Sequence, residues 1–330
     1  MASGFSGGIM TAISLMIEGQ DGLNWGRWQR LASEAEELGF AGLFRSDHYT
    51  NSVGPDKDSL EMVVSLTYLA SHTKRIHFGP LVAPLSFREP TMLARQAAAI
   101  DDLSGGRMII GIGAGWQERE HTLFGHDLGD IPTRMARLEE GLEVISKLLK
   151  SDEPVEFSGQ HYNLRGATLL PRPQRQGGPD IMIGGNGPKR TLPLAARYAT
   201  IWNGVFLSPE AFSERNAILD ELMQAEGRQP SELRRTMMGG LYFGRDEAAL
   251  EQKLSRFREG NEELKGLSLS ELSAYLRKER NLFTGTADEV VAQIQTYQAA
   301  GADELMLQWL DLDDIDNLHA FAEQVLPRLA

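Results

Sequence analysis

Cysteine is absent from the 330 residues, and with it go every disulfide, thiolate nucleophile and thiolate metal ligand. No apolar run reaches the roughly eighteen residues that a helical membrane span needs. Positive charge is scarce. Thirty-three Lys and Arg stand against 46 Asp and Glu, a formal net charge of -13, so nucleic acid is not an expected partner. The opening MASGFSGGIMTAISLM has neither the basic flank nor the apolar run of a secretory leader, and the chain is expected in the cytoplasm, off the membrane. Glycine is plentiful instead, at 34 residues, and 42% of the chain is hydrophobic, enough for one large α/β core.

The stretch DDLSGGRMIIGIGAGW at 101–116 reads as a helix end, a glycine turn, a buried strand and a glycine-rich strand end. Met108 to Ile112 carry the continuous apolar pattern of a parallel strand covered on both faces. Gly111, Gly113 and Gly115 alternate with Ile112, Ala114 and Trp116. That spacing leaves room for a flat or charged ligand, or simply relieves crowding at a strand end. Strand-then-helix units recur along the chain. Strands are predicted at 9–16, 40–49, 75–82, 108–112, 180–183, 200–205 and 236–243, with a last one ending FTGTADEVVAQIQTYQAAGADELML at 283–307. Helices are predicted at 25–38, 59–70, 91–103, 134–149, 192–198 and 209–225, after a capping Thr286 with Glu289 three residues on, and at 315–329. Eight strands and eight helices with no linker favour a closed (β/α)8 barrel, read as one domain over 1–330. Three weakly patterned segments, 117–131, 150–178 and 247–282, read as loop insertions at its mouth, the last with a helix over 247–258 and an excursion around Leu267 to Leu276.

In such a barrel the strand C-termini face one another. Glu18, Asp47, His48, Ala83, Asn203, the run Gly113, Ala114, Gly115 and Trp116, and the turn Gly184, Gly185, Asn186 and Gly187 then border one pocket. Asp47 and His48 are the one adjacent carboxylate and imidazole at a strand end, with His48 as acid or base and Asp47 holding its orientation, or with Asp47 merely capping the next loop. The GGNG turn opens a helix and presents backbone N–H groups to an anion, with Lys189 and Arg190 beside it. His121 and His126 lie near Glu118 and Glu120 but lack the HExxH pattern, so no metal is expected.

Four blocks, AEELGFAGLFRSDHY (35–49), FGPLVAPLSFREPTMLARQAAAIDDLSGGRMIIGIGAGWQERE (78–120), IMIGGNGPKRTLPLAARYATIWN (181–203) and 283–307, resemble the bacterial-luciferase-like family of flavin and deazaflavin oxidoreductases. The resemblance implies a TIM barrel that binds coenzyme F420 or FMN at its mouth. It implies a ring site at Val82, Ala83, Pro84, Gly113, Ala114 and Gly115, a phosphate site at Gly184, Gly185, Asn186 and Gly187, and a non-proline cis peptide, here expected between Val82 and Ala83. His48 is implied as the residue working with the hydride, and Glu18, Trp116, Trp202 and Asn203 as substrate contacts. The leading expectation is F420-dependent hydride transfer to or from a small organic substrate. Its rivals are an FMN monooxygenase that forms a peroxyflavin in an apolar cavity beside Trp116 and Trp202, served by a separate flavin reductase, and a barrel kept only as a binding subunit. A basic groove formed by Arg45, Arg88 or Lys189 would favour the anionic tail of F420. Trp116 stands where F420-dependent sugar-phosphate dehydrogenases carry a glutamate, which sets this sequence apart from them. A homodimer is also implied.

Overall fold

The computed structural model describes residues 11–259 and 261–329; Ile9 and Met10 of the first predicted strand lie outside them. β1 (Ala12–Ile17) is followed by α1 (Trp25–Glu37), and β2 (Gly42–Arg45) by α2 (Met62–His72). β3 (His77–Pro80) and its continuation β4 (Ala83–Pro84) precede α3 (Pro90–Ser104). β5 (Ile109–Gly113) leads through α4 (Glu118–Phe124) to α5 (Ile131–Lys150). An antiparallel pair, β6 (Val155–Ser158) and β7 (Asn163–Ala167), comes before β8 (Asp180–Gly184), α6 (Thr191–Tyr198), β9 (Ile201–Val205) and α7 (Pro209–Ala225). β10 (Arg234–Phe243), α8 (Glu247–Glu259), α9 (Leu269–Arg280), β11 (Phe283–Gly285), α10 (Ala287–Ala299), β12 (Glu304–Gln308) and α11 (Ile315–Gln324) complete the order.

Parallel pairing runs β3-β2-β1-β12-β10-β9-β8-β5. The ring closes where Phe78 bridges Met108 and where β4 sets Ala83 beside Ile112 and Pro84 beside Gly113. An α/β barrel of eight staves results, its third stave split into β3 and β4. The seam needs two glycines. A Cβ on Gly79 would lie 1.8 Å from the Ile109 carbonyl oxygen, and one on Gly111 would lie 2.0 Å from that of Pro80. Part of the glycine pattern at 101–116 therefore serves barrel closure.

Side chains alternate along each stave. Met16, Phe44, Ile109, Met182, Met238 and Met306 fill the barrel interior. Their neighbours Leu15, Leu43, Ile110, Ile183, Met237 and Leu305 point outward into the core shared with the helices. The helix ends follow local rules: Asp130 caps α5 by accepting from Thr133 N at 2.8 Å, and Glu289 accepts from Thr286 N at 3.0 Å.

Three expectations change. The segment 117–131 contains a helix, α4; within 247–282 the expected helix over 247–258 is found as α8, whereas the expected excursion around 267–276 is a second helix, α9, and the two pack Leu250, Leu254, Leu272 and Leu276 into a cluster of their own. The segment 150–178 holds the β6–β7 hairpin. The non-proline cis peptide joins Leu81 to Val82, one bond before the expected position. Gly111→Ala is expected to destabilise the barrel by about 3 kcal/mol or more, because a backbone oxygen cannot yield to the new methyl. Chemical denaturation checks this, and a loss below about 1 kcal/mol would mean that the seam is not tight.

Candidate active site

A cavity of about 460 Å³ opens at the C-terminal ends of the staves. The alternation that turns Met16 and Met306 inward brings Glu18 and Gln308 to the cavity two residues later, and the step from Phe44 brings Ser46 and then His48. The same parity takes Ile109 through Gly111 to Gly113, and Met182 to Gly184. Parity likewise places Asn203 and Val205 on the wall after Ile201.

Residues of the opposite parity leave the site, contrary to several expectations. Trp202 faces the helices, stacks on Phe212 with ring centroids 5.3 Å apart and donates its Nε1–H to the Gly185 carbonyl. Ala83 is fully buried outside the cavity lining. Asp47, 3% exposed, turns from His48 to Arg88, which grips it with two bonds of 2.8 and 2.7 Å. Arg88 also reaches Glu61 at 3.0 Å. Arg45 is buried, with Nη1 on Ser65 Oγ at 2.9 Å. The expected basic groove therefore does not form from Arg45 and Arg88, and Lys189 sits exposed beside Arg190 at the start of α6, away from the cavity wall. In the GGNG turn, Gly184 and Gly185 line the cavity; Asn186 instead binds the backbone of Val205, accepting from its N at 2.9 Å and donating to its O at 2.8 Å.

The residue that sequence reading missed is Glu120. It is 1% exposed on α4, where Oε1 accepts from His48 Nδ1 at 2.8 Å and Oε2 accepts from Tyr49 N at 2.9 Å. The signal was present in Gln117, Glu120 and His121, spaced as one helical face. Its inward residues are polar, so a search for apolar periodicity passes over it. His121, also buried, bonds Gln117 O and Ser86 Oγ, both at 2.7 Å, and among the described residues no group of His, Asp and Glu is placed to hold a metal ion.

Burial lowers the His48 pKa, but the hydrogen bond and charge of Glu120, helped by Glu18 and Asp47, outweigh it and hold the imidazole above its ordinary 6.5. With Nδ1 engaged by Glu120, Nε2 is the ring nitrogen left for a ligand. Trp116, 63% exposed, stands edge-on to His48 with centroids 5.5 Å apart. Asn203 donates to Thr236 Oγ1 at 2.9 Å, and that hydroxyl donates to Trp202 O, which fixes the amide's orientation. Its Oδ1 is left as a buried acceptor with no donor among the described residues.

Two outcomes follow from these pairs. Asp47→Ala strands the Arg88 guanidinium and is expected to cost about 3 kcal/mol in chemical denaturation; a neutral result would mean that Glu61 suffices. Because folding raises the His48 pKa, its pairing with Glu120 stabilises fully below the unfolded value of 6.5 and fades as pH rises through the folded value. The stability gap between wild type and Glu120→Gln is therefore expected to be wider at about pH 5.5 than at about pH 9. A gap independent of pH would contradict the assignment.

Comparison with known proteins agrees with this architecture. An F420-dependent glucose-6-phosphate dehydrogenase of Amycolatopsis mediterranei (strain U-32) is 30% identical over 318 residues, spanning 90% of this chain and 92% of that protein. A 4-hydroxyprotoasukamycin monooxygenase of Streptomyces nodosus subsp. asukaensis is 32% identical over 181 residues, 54% of this chain and 47% of that one. The structure of an F420-dependent secondary alcohol dehydrogenase in complex with an F420–acetone adduct superimposes with a TM-score of 0.80 at 20% identity, covering 97% of this chain and 99% of the other. The model of the luciferase-like monooxygenase family matches residues 6–304, and the chain belongs to that family.

Proposed function

We propose that this protein is an F420-dependent oxidoreductase that moves a hydride between the deazaflavin and a small organic substrate at the barrel mouth. The observation that carries the reading is His48, held at Nδ1 by the buried Glu120 on the wall of a glycine-floored cavity. The relatives named for F420 support the choice of cofactor.

The wall suits a flat ring. A Cβ on Gly113 would lie 2.5 Å from Val82 Cγ2, and one on Gly184 would lie 3.1 Å from Val82 Cγ1, so Val82 forms an apolar shelf in space that only glycine leaves free. Val82, Pro84, Gly113, Ala114 and Gly115 would hold the ring, and Asn203 Oδ1 offers an acceptor to a ring N–H. Gly184 and Gly185, in the turn that leads from β8 to α6, would face the phosphate; Arg190, just before that helix, gives it no side-chain cap. When bound, F420 supplies two-electron hydride chemistry. His48 Nε2 holds or moves the accompanying proton, Glu120 fixes the tautomer, and Trp116 shields the mouth from water. FMN is the second reading, favoured by the monooxygenase relative and by the commitment of Arg45 and Arg88 elsewhere.

Titration with F420 and with FMN, followed by fluorescence quenching, separates the two readings. Tight F420 binding without FMN binding is expected, and the reverse would transfer the assignment to FMN. In the loaded enzyme His48→Ala is expected to lower turnover about 100-fold or more while leaving cofactor affinity nearly unchanged. An unaltered turnover number would remove His48 from the mechanism.

A further inference from the structure

We infer that the substrate of this cavity is uncharged and largely apolar, and that phosphorylated or carboxylate-bearing substrates are turned away. The inference rests on the assignment of this cavity as the place of hydride transfer.

Charge is the first support. Among the described residues that line the cavity there are two carboxylates, Glu18 and Glu120, and no Lys or Arg. Glu120 faces His48. Among the described residues Glu18 is hydrogen-bonded by two glutamine amides, its Oε1 accepting from Gln308 Nε2 at 2.5 Å and its Oε2 from Gln20 Nε2 at 2.9 Å. Amides orient a carboxylate without cancelling its charge, so a second anion placed beside it is repelled. The arginines nearest the mouth lie outside the lining: Arg88 is paired with Asp47 and Glu61, and Arg134 donates to the Gly115 carbonyl at 3.2 Å. Farther out, Arg277 binds Glu289 at 2.7 Å. A substrate phosphoryl group placed beside Glu18 would meet a carboxylate acceptor where it needs donors, whereas the cofactor phosphate is assigned to Gly184 and Gly185.

Shape is the second support. Leu81, Val205, Met238 and Phe206 give the cavity an apolar side. Phe206 has φ of 50° and Asn281 φ of 52°, the two non-glycine residues in the left-handed region among those described. They are joined: Asn281 Nδ2 donates to Phe206 O at 3.1 Å, while Phe206 N donates to Met238 O at 3.0 Å. For Asn281 this is the ordinary left-handed cap of α9, but for a phenylalanine the conformation persists where surrounding contacts over-determine it, and such residues concentrate at ligand-binding positions. Here the end of α9 holds the backbone of Phe206, whose ring lines a cavity that also presents the polar groups of Glu18, Ser46 and His48. The arrangement suits a molecule with one hydroxyl or carbonyl and a hydrocarbon body.

Calorimetric titration of the cofactor-loaded protein tests this, with cyclohexanone, cyclohexanecarboxylate and glucose 6-phosphate as probes. Wild type is expected to bind cyclohexanone at least about tenfold more tightly than cyclohexanecarboxylate, and glucose 6-phosphate not measurably. Glu18→Gln is expected to narrow the first ratio by about fivefold or more, and Phe206→Ala to weaken cyclohexanone by about tenfold. Should Glu18→Gln fail to fold, raising the salt concentration on wild type is expected to strengthen carboxylate binding and leave cyclohexanone unmoved. Binding of either anion as tightly as cyclohexanone, or a ratio indifferent to both Glu18→Gln and salt, overturns the inference. If F420 fails to bind but the preference for the neutral probe persists with FMN, the cofactor reading falls and the substrate class stands.

Discussion

Closure of a parallel ladder into a ring is the constraint on which the rest of this structure depends. Once β5 meets the split stave of β3 and β4, each strand has an inside and an outside, and its residues must alternate between them. The alternation packs Met16, Met182, Met238 and Met306 within the barrel, then continues upward without change of phase. At the mouth the inward positions become Glu18, Ser46, His48, Gly113, Gly184 and Gln308. The site is thus the last layer of the barrel core, with polar and glycine residues replacing the apolar ones below.

The same parity separates what could be read in the sequence from what could not. The strand-and-helix grammar was legible because it rests on apolar spacing, and so were the glycine strand ends, where an abrupt loss of side chains is visible in one dimension. Asp47 misled because adjacency in sequence suggests contact, whereas neighbours on a strand point to opposite faces. It meets Arg88, 41 residues away, and its bond to that guanidinium depends on where α3 begins. Trp202 misled in the same way: it lies one residue from Asn203 and on the other side of the stave. The helix over 247–258 was legible and is α8, but α4 and α9 were hidden for different reasons. In α4 the buried face is polar, whereas α9 adds only Leu272 and Leu276 to a small cluster shared with α8, too few apolar positions in a highly charged stretch to give a clear stripe.

Two carboxylates near His48 consequently have different work. Asp47 is neutralised by Arg88 and ties the end of the second stave to the loop before α3. Glu120 reaches His48 directly and also holds Tyr49 N, so it fixes both the imidazole and the backbone that carries it. With Asp47 committed, the upward shift of the His48 pKa depends chiefly on a residue from another element.

That division of labour explains why the glycine-rich strand end is followed at once by a helix. A carboxylate placed on Gly113 would have to displace Val82, whose side chain lies 2.5 Å from the position of the missing Cβ. Room for a planar ligand and a fixed charge for the imidazole cannot both come from the same strand end. β5 gives up its side chains to leave the room, and α4, starting five residues later at Glu118, returns a carboxylate from the side, where it reaches His48 without crossing the cavity floor.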